Sequence, residues 1–222
     1  MELKEAIRSR KSVRQFKDTP IRENIIKDIL ENAKWAASGG NLQPWNVHVL
    51  GGEALQDLVG EVRQKLRAGQ METPEYNVYP PNLKDPYKTR RRVVGQALYE
   101  LIGVPREDKA GKLKQLAKNF EFFGAPVGLF FTMDRQMEIG QFVDLGIFMQ
   151  NIMLMARDYG LHTCPQEAWA QWPETTARFL GVAADEMVFC GMALGEADEG
   201  ALINQLQSER AELDEFVSFR GF

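Results

Sequence analysis

Three cations and a hydroxyl fall within five residues at Arg10-Lys11-Ser12-Val13-Arg14, directly after a short helical pattern. A helix end is already complemented by one nearby cation, so the excess charge suits an anionic ligand. Arginine presents a planar fork that grips phosphate oxygens two at a time. In extended backbone, Arg10, Ser12 and Arg14 share one face, while Lys11 and Val13 take the other. A second cluster, Ser38-Gly39-Gly40-Asn41-Leu42-Gln43-Pro44-Trp45, joins small residues that allow close backbone approach to the two-sided amides of Asn41 and Gln43. A third runs Thr163-Cys164-Pro165-Gln166-Glu167-Ala168-Trp169. There a proline after an edge strand leaves the amides of Gln166 and Glu167 free to face a ligand. Arg210 adds a lone cation in the tail. Taken singly, these pieces also suit a basic helix end, a helix-to-strand turn, a strand end and a surface charge. Taken together, they suit a molecule with an anionic end and a flat polar ring, that is, a phosphorylated cofactor.

The intervening pattern supplies the elements that must hold these pieces. Met1 to Ser9 is a short amphipathic helix, and Ile21 to Ala37 repeats at helical period through Ile25, Ile26, Ile29, Leu30 and Ala33. Trp45 to Leu50 alternates as a half-buried strand, stopped by Gly51-Gly52, and Glu53 to Ala68 returns to helix. Gly69 to Lys88 is rich in proline and tyrosine with weak periodicity, the signature of a lid or binding excursion. Tyr87 to Ile102 and Arg106 to Phe123 are expected helices, and Pro126 to Met133 is a buried central strand. Glu138 to Tyr159 is a helix apolar most of the way round, which suits a subunit interface better than a small core. Gly160 to Pro165 is an edge strand, Pro173 to Leu180 a helix and Met187 to Leu194 a strand. Leu202 to Phe222 is too apolar for a free end and is expected to dock on something. Helices bracketing well-separated strands give an α+β sandwich.

At 222 residues the chain suits a single domain spanning residues 1–222, which buries roughly 70% of its unfolded surface without disulfides or metal. A net charge of −4 argues against general binding of nucleic acid and makes a local basic cluster conspicuous. Cys164 and Cys190 sit among apolar or small residues and suit buried thiols of a reducing compartment. With only His48 and His162, and no paired-cysteine motif, no metal site is expected. No signal segment is visible and no apolar run reaches the ~18 residues of a membrane span, so the expectation is a cytoplasmic protein with no membrane partner.

Arg10 to Phe16, Ser38 to Trp45, Gly160 to Glu167, Gly191 to Gly195 and Arg210, in that order over nearly the whole chain, resemble the nitroreductase family of FMN-dependent flavoproteins. The Tyr-Lys-x-Arg-Arg-Arg stretch at Tyr87–Arg92 and the Asn-Phe-x-Phe-Phe-Gly-Ala-Pro stretch at Asn119–Pro126 resemble its nitrobenzoate-reductase-like branch. The resemblance implies a central, mostly antiparallel sheet flanked by helices. It also implies a homodimer with FMN at the subunit interface and a tail exchanged between protomers.

Carried over by position, Arg10, Ser12, Arg14 and Arg210 would hold phosphate and ribityl groups, with Lys11 contributing through its backbone. Ser38, Gly39, Asn41 and Gln43 would reach the flavin, some from the partner, Pro165 would bind it too, and Gln166 and Glu167 would bring a backbone N–H to flavin N5. No catalytic side chain is required, because the cofactor carries the hydride. The implied activity is ping-pong reduction of nitroaromatics, quinones or similar small acceptors by NADPH or NADH. Reductive dehalogenation, with Tyr76, Tyr79 and Lys84 clamping a phenol, or other specialised flavin-consuming chemistry on the same fold, and a non-catalytic flavin module remain the alternatives. Ala168 stands where many members have glycine, and Arg90, Arg91, Arg92 and Lys118 are the candidates for a cation near flavin N1 and O2.

Overall fold

The computed structural model describes residues 1–222. Seven helices and four strands follow in the order α1 (Leu3–Ser9), α2 (Glu23–Ala33), β1 (Asn46–Gly51), α3 (Gly52–Arg67), α4 (Tyr87–Leu101), α5 (Lys109–Ala117), β2 (Val127–Asp134), α6 (Ile139–Asp158), β3 (His162–Gln166), α7 (Pro173–Leu180) and β4 (Glu186–Gly195). The strands form one sheet in the order β1-β2-β4-β3, with every neighbouring pair antiparallel. Strand β3 is therefore an edge strand, as its proline requires.

Alternation along β2 divides the core between the two faces of the sheet. Phe130 packs with Phe122, Trp169 and α3 on one side, while Leu129, Phe131 and Met133 pack with α2 and α6 on the other. The result is a sheet between two helical layers. On α2, Ile26, Ile29 and Ala33 are buried at helical spacing. That helix stops at Ala33, short of the expected Ala37.

A second expectation fails more instructively. Instead of one helix from Arg106 to Phe123, α5 is capped by Asp108, which accepts from Gly111 N at 2.8 Å, and ends at Ala117. A 3-10 segment follows at Lys118–Gly124, with left-handed backbone at Phe122 (φ 48) and Phe123 (φ 54). Packing accounts for the break. The Phe122 ring fills the space over Gly128, where a Cβ would lie 2.7 Å from Phe122 Cζ. A continuous helix could not deliver that ring to the sheet.

Helix α6 contributes one face to the core and leaves another bare. Leu145, Phe148 and Ile152 are buried against the sheet and α2, whereas Ile139, Val143 and Ile147 lie exposed one turn apart. Its length and hydropathy alone would suffice for a membrane span, yet one face is part of the core. Beyond Gln205 the tail holds only a 3-10 turn at Leu213–Glu215, and Leu213, Phe216, Phe219 and Phe222 stand in solvent. Arg90 on α4 bonds the tail at Glu215 Oε2, 2.9 Å away.

Candidate functional site

The Arg10–Phe16 segment leaves α1 in extended conformation and lies alongside β3. Ser12 bridges Thr163 in parallel sense, and Val13 N donates to Thr163 O at 3.1 Å. Val13 is fully buried and Arg10, Ser12 and Arg14 are half-buried, while Lys11, expected to share the Val13 face, is exposed. Buried Asn204, from the far end of the chain, fixes this segment. Its Oδ1 accepts from Arg14 N at 2.8 Å and its Nδ2 donates to Gln15 O at 2.7 Å. Lys11 Nζ donates to Asn204 O at 2.5 Å, so the Lys11 ammonium braces the tail.

Arg10 lies close enough to Arg210 for the second charge to add to burial in lowering the Arg10 pKa. Neither arginine, nor Arg14, makes an ion pair with any carboxylate. Arg14 Nη1 donates to Ser12 O at 3.2 Å, and Arg210 Nη1 to Ser208 Oγ at 2.8 Å. Burial pushes the Cys164 thiol up to about 11 against the opposing pull of Arg14, Ser12 and Arg10, which puts that sulfur beside all three. Guanidiniums near one another without a carboxylate partner are suited by Coulomb's law to an anion.

Next to this cluster opens a cavity of about 750 Å³, lined by Arg14, Cys164, Pro165, Gln166, Glu167 and Ala168 among others. Gln166 is almost fully buried; its Nε2 donates to Asn119 O at 2.6 Å, and its Oε1 has no partner. The 3-10 turn Glu167–Gln171 starts at the cavity with no side chain capping it. Burial raises the pKa of the Glu167 carboxyl. Ala168 lines the cavity and also packs on the core cluster that contains Trp169. Phe142, Met149 and Met153 of α6 make an apolar wall, faced by Val78 and Tyr79 of the excursion and by Arg91 and Tyr99 of α4.

The excursion is tied down in three places before it reaches the cavity. Glu72 accepts from the amides of Glu174 (2.9 Å) and Thr175 (3.1 Å), and from the Thr175 hydroxyl, at the start of α7. Glu75 pairs with Arg135, and Tyr76 Oη donates to Phe189 O at 2.8 Å while its ring stacks on Phe189. Tyr79 then carries Arg91 over its ring at 3.8 Å. Of the proposed phenol clamp, only Tyr79 lines this cavity; Tyr76 Oη is committed to Phe189, and Lys84 lines a different recess.

Within one chain the structure brings Arg14, Pro165, Gln166 and Glu167 to the cavity wall; Arg10 and Ser12 lie near Cys164, which also lines it, and Arg210 lies near Arg10. The Ser38–Gln43 turn is elsewhere. Ser38, Gly39, Asn41 and Gln43 do not line the cavity. The turn is held by Gln43 N to Ser38 Oγ at 3.1 Å and Gly39 N to Asp144 Oδ2 at 3.2 Å, with its polar face exposed. Among the four candidate cations only Arg91 reaches the cavity; Arg90 bonds Glu215, Arg92 bonds Gln96, and Lys118 lines another recess. Asn204 gave no local signal, because its role exists only through contacts with residues nearly two hundred positions away.

The nitroreductase family profile matches residues 7–196. The chain is 41% identical over 214 residues to the chloronitrobenzene nitroreductase of Comamonas testosteroni, covering 96% of this chain and 94% of that one. It is 38% identical over 219 residues to the 4-nitrobenzoate reductase of Pseudomonas putida, covering 97% and 94%. The structure of the FMN and NADPH-dependent nitroreductase NfnB from sphigopyxis sp. strain HMH superposes with a TM-score of 0.96 at 41% identity, covering 100% of both chains.

Proposed function

The chain belongs to the nitroreductase family, and from that premise we propose that it is an FMN-dependent oxidoreductase that uses NAD(P)H to reduce nitroaromatics and other electron-poor acceptors such as quinones. The observation that carries this reading is the unpaired Arg14 guanidinium at the edge of a 750 Å³ cavity with aromatic and thioether walls, next to a segment that also carries Arg10, itself close to Arg210. FMN, when bound, supplies the hydride chemistry; position and field come from the protein. Arg10, Arg14, Arg210 and the Ser12 hydroxyl hold the phosphate and ribityl groups. Pro165, Gln166 and Glu167 present backbone to the ring, and the unpartnered Gln166 Oε1 offers a buried acceptor beside it. Phe142, Met149 and Met153 keep water from the reacting face. Because one cavity serves donor and acceptor in turn, the kinetics are ping-pong, with parallel lines in double-reciprocal plots.

The working unit is a homodimer in which Ser38, Gly39, Asn41 and Gln43 of a second copy complete the cavity. Support comes from the exposure of Gly39, Asn41 and Gln43, from the bare Ile139–Val143–Ile147 stripe and from the apolar tail, which is suited to wrap a second copy. Two buried free thiols suit the cytoplasm. The visible spectrum under anaerobic NADPH tests the reading. A yellow protein bleached by NADPH and restored by a nitroarene supports it, a yellow protein indifferent to NADPH is a binding module, and colourless protein that ignores added FMN overturns it.

A further inference from the structure

A recess of about 800 Å³ opens between α4, α5 and the second half of the excursion, outside the cavity described above. Six cations line it, Lys84, Lys88, Arg91, Arg92, Arg106 and Lys112, and no carboxylate does. None of the six forms an ion pair. Asp85, whose carboxyl pKa is lowered by Thr89 and then by the charges of Lys88 and Arg92, is held by the Thr89 hydroxyl at 2.6 Å and the Thr89 amide at 3.1 Å and pairs with neither cation. Such bonds as the cations make orient them without neutralising them: Lys112 Nζ donates to Arg106 O at 2.5 Å, and Arg92 Nη1 to Gln96 Oε1 at 3.2 Å. In a chain of net charge −4, this concentration of positive charge calls for an anion.

The recess adjoins the cofactor cavity, because Arg91 and Tyr99 line both. A ligand with a planar head in the cavity can therefore rest an anionic far end here. We propose that this recess receives the 2′-phosphate of the nicotinamide donor and makes the protein selective for NADPH over NADH, an inference that rests on the NAD(P)H-dependent reading above. A phosphate monoester carries close to two charges and three terminal oxygens, which several lysines and arginines can share. The pyrophosphate common to both donors cannot discriminate between them.

The test compares FMN-loaded wild type with Lys88→Gln/Arg92→Gln, and with Lys27→Gln/Lys34→Gln as a control of equal charge change at two exposed positions, one on α2 and one just after it. The recess variant should raise KM for NADPH about tenfold with kcat and the KM for NADH unchanged, the size expected when exposed charge-assisted contacts are lost. In calorimetry, adenosine 2′,5′-bisphosphate should bind the wild type and the control at least tenfold more tightly than the recess variant, while 5′-AMP binds all three alike. A parallel rise for NADH would assign the recess to the pyrophosphate and overturn the proposal. So would a rise in KM for 4-nitrobenzoate but not nitrobenzene, which would assign it to an acceptor carboxylate. Equal behaviour of all three proteins would also overturn it. If wild type oxidises neither donor, the function proposed above has failed; if it oxidises both and the variant changes nothing, only this inference has.

Discussion

Arg10 and Arg210 repel one another until an anion arrives, so their joint removal discriminates a ligand site from surface charge. Charge-assisted contacts to phosphate contribute about 1.5–3 kcal/mol each, so Arg10→Ala/Arg210→Ala should weaken FMN binding roughly 10²- to 10⁴-fold and yield colourless protein. Stoichiometric FMN in that double variant would falsify their assignment. His162 allows a second test that needs no ligand. Burial, then Arg157 and Lys11, lower its pKa from 6.5 to about 4; Arg157 Nη1 lies 2.8 Å from His162 Nε2. Between those values the unfolded chain binds the proton and the folded one does not, so stability falls as pH drops from about 6.5 to 4. The slope is at most ~1.4 kcal/mol per pH unit and smaller here, because water reaches the half-exposed ring. Urea midpoints at pH 7 and 4.5 check this: His162→Gln should flatten the dependence, and an identical slope in both proteins would remove His162 as its source.

At the scale of elements, Glu72 is the first of three fastenings that hold the excursion to the domain. Glu72 closes the N-terminus of α7 from outside that helix and also meets Lys65 Nζ at 3.4 Å. Losing such a cap costs about 1–2 kcal/mol, so Glu72→Ala should lower the urea midpoint. It should also open residues 69–88 to limited proteolysis and blunt discrimination among acceptors, since Val78 and Tyr79 follow the fastening. Unchanged cleavage would show that Glu75 and Tyr76 hold the excursion unaided. The break at Phe122 belongs to this scale too. Residues 106–123 satisfy helical periodicity, but burying an aromatic ring over Gly128 outweighs local propensity, which is only a weak preference.

For the whole molecule the decisive surface is the bare face of α6. Val143 is 61% exposed and Ile139 84% exposed in a single chain. Substituting an exposed residue in a monomer usually changes stability by less than about 0.5 kcal/mol. In the proposed dimer, Val143→Lys places an unpaired charge in an apolar interface. It should elute as a monomer on sizing and lose its flavin, because the Ser38–Gln43 turn of a second copy is lost. A yellow Val143→Lys protein of unchanged size would refute the shared site.

The residues of the sequence by themselves determined the period of each helix and strand, the edge position of the Pro165 strand and the residue types suited to gripping phosphate. These are local properties, set by backbone geometry and side-chain chemistry within a few positions. Only the tertiary structure decided which charges stay unpaired. Lys11 and Arg14 look alike in sequence, yet one ammonium braces Asn204 and the other cation lines the cavity. The tertiary structure likewise put Arg10 beside Arg210, separated the Ser38–Gln43 turn from the cavity within one chain and bent the backbone at Phe122. Each of these outcomes depends on contacts between segments far apart in sequence. Burial and Coulomb energies are set by what surrounds a residue in space, and its neighbours along the chain do not specify that.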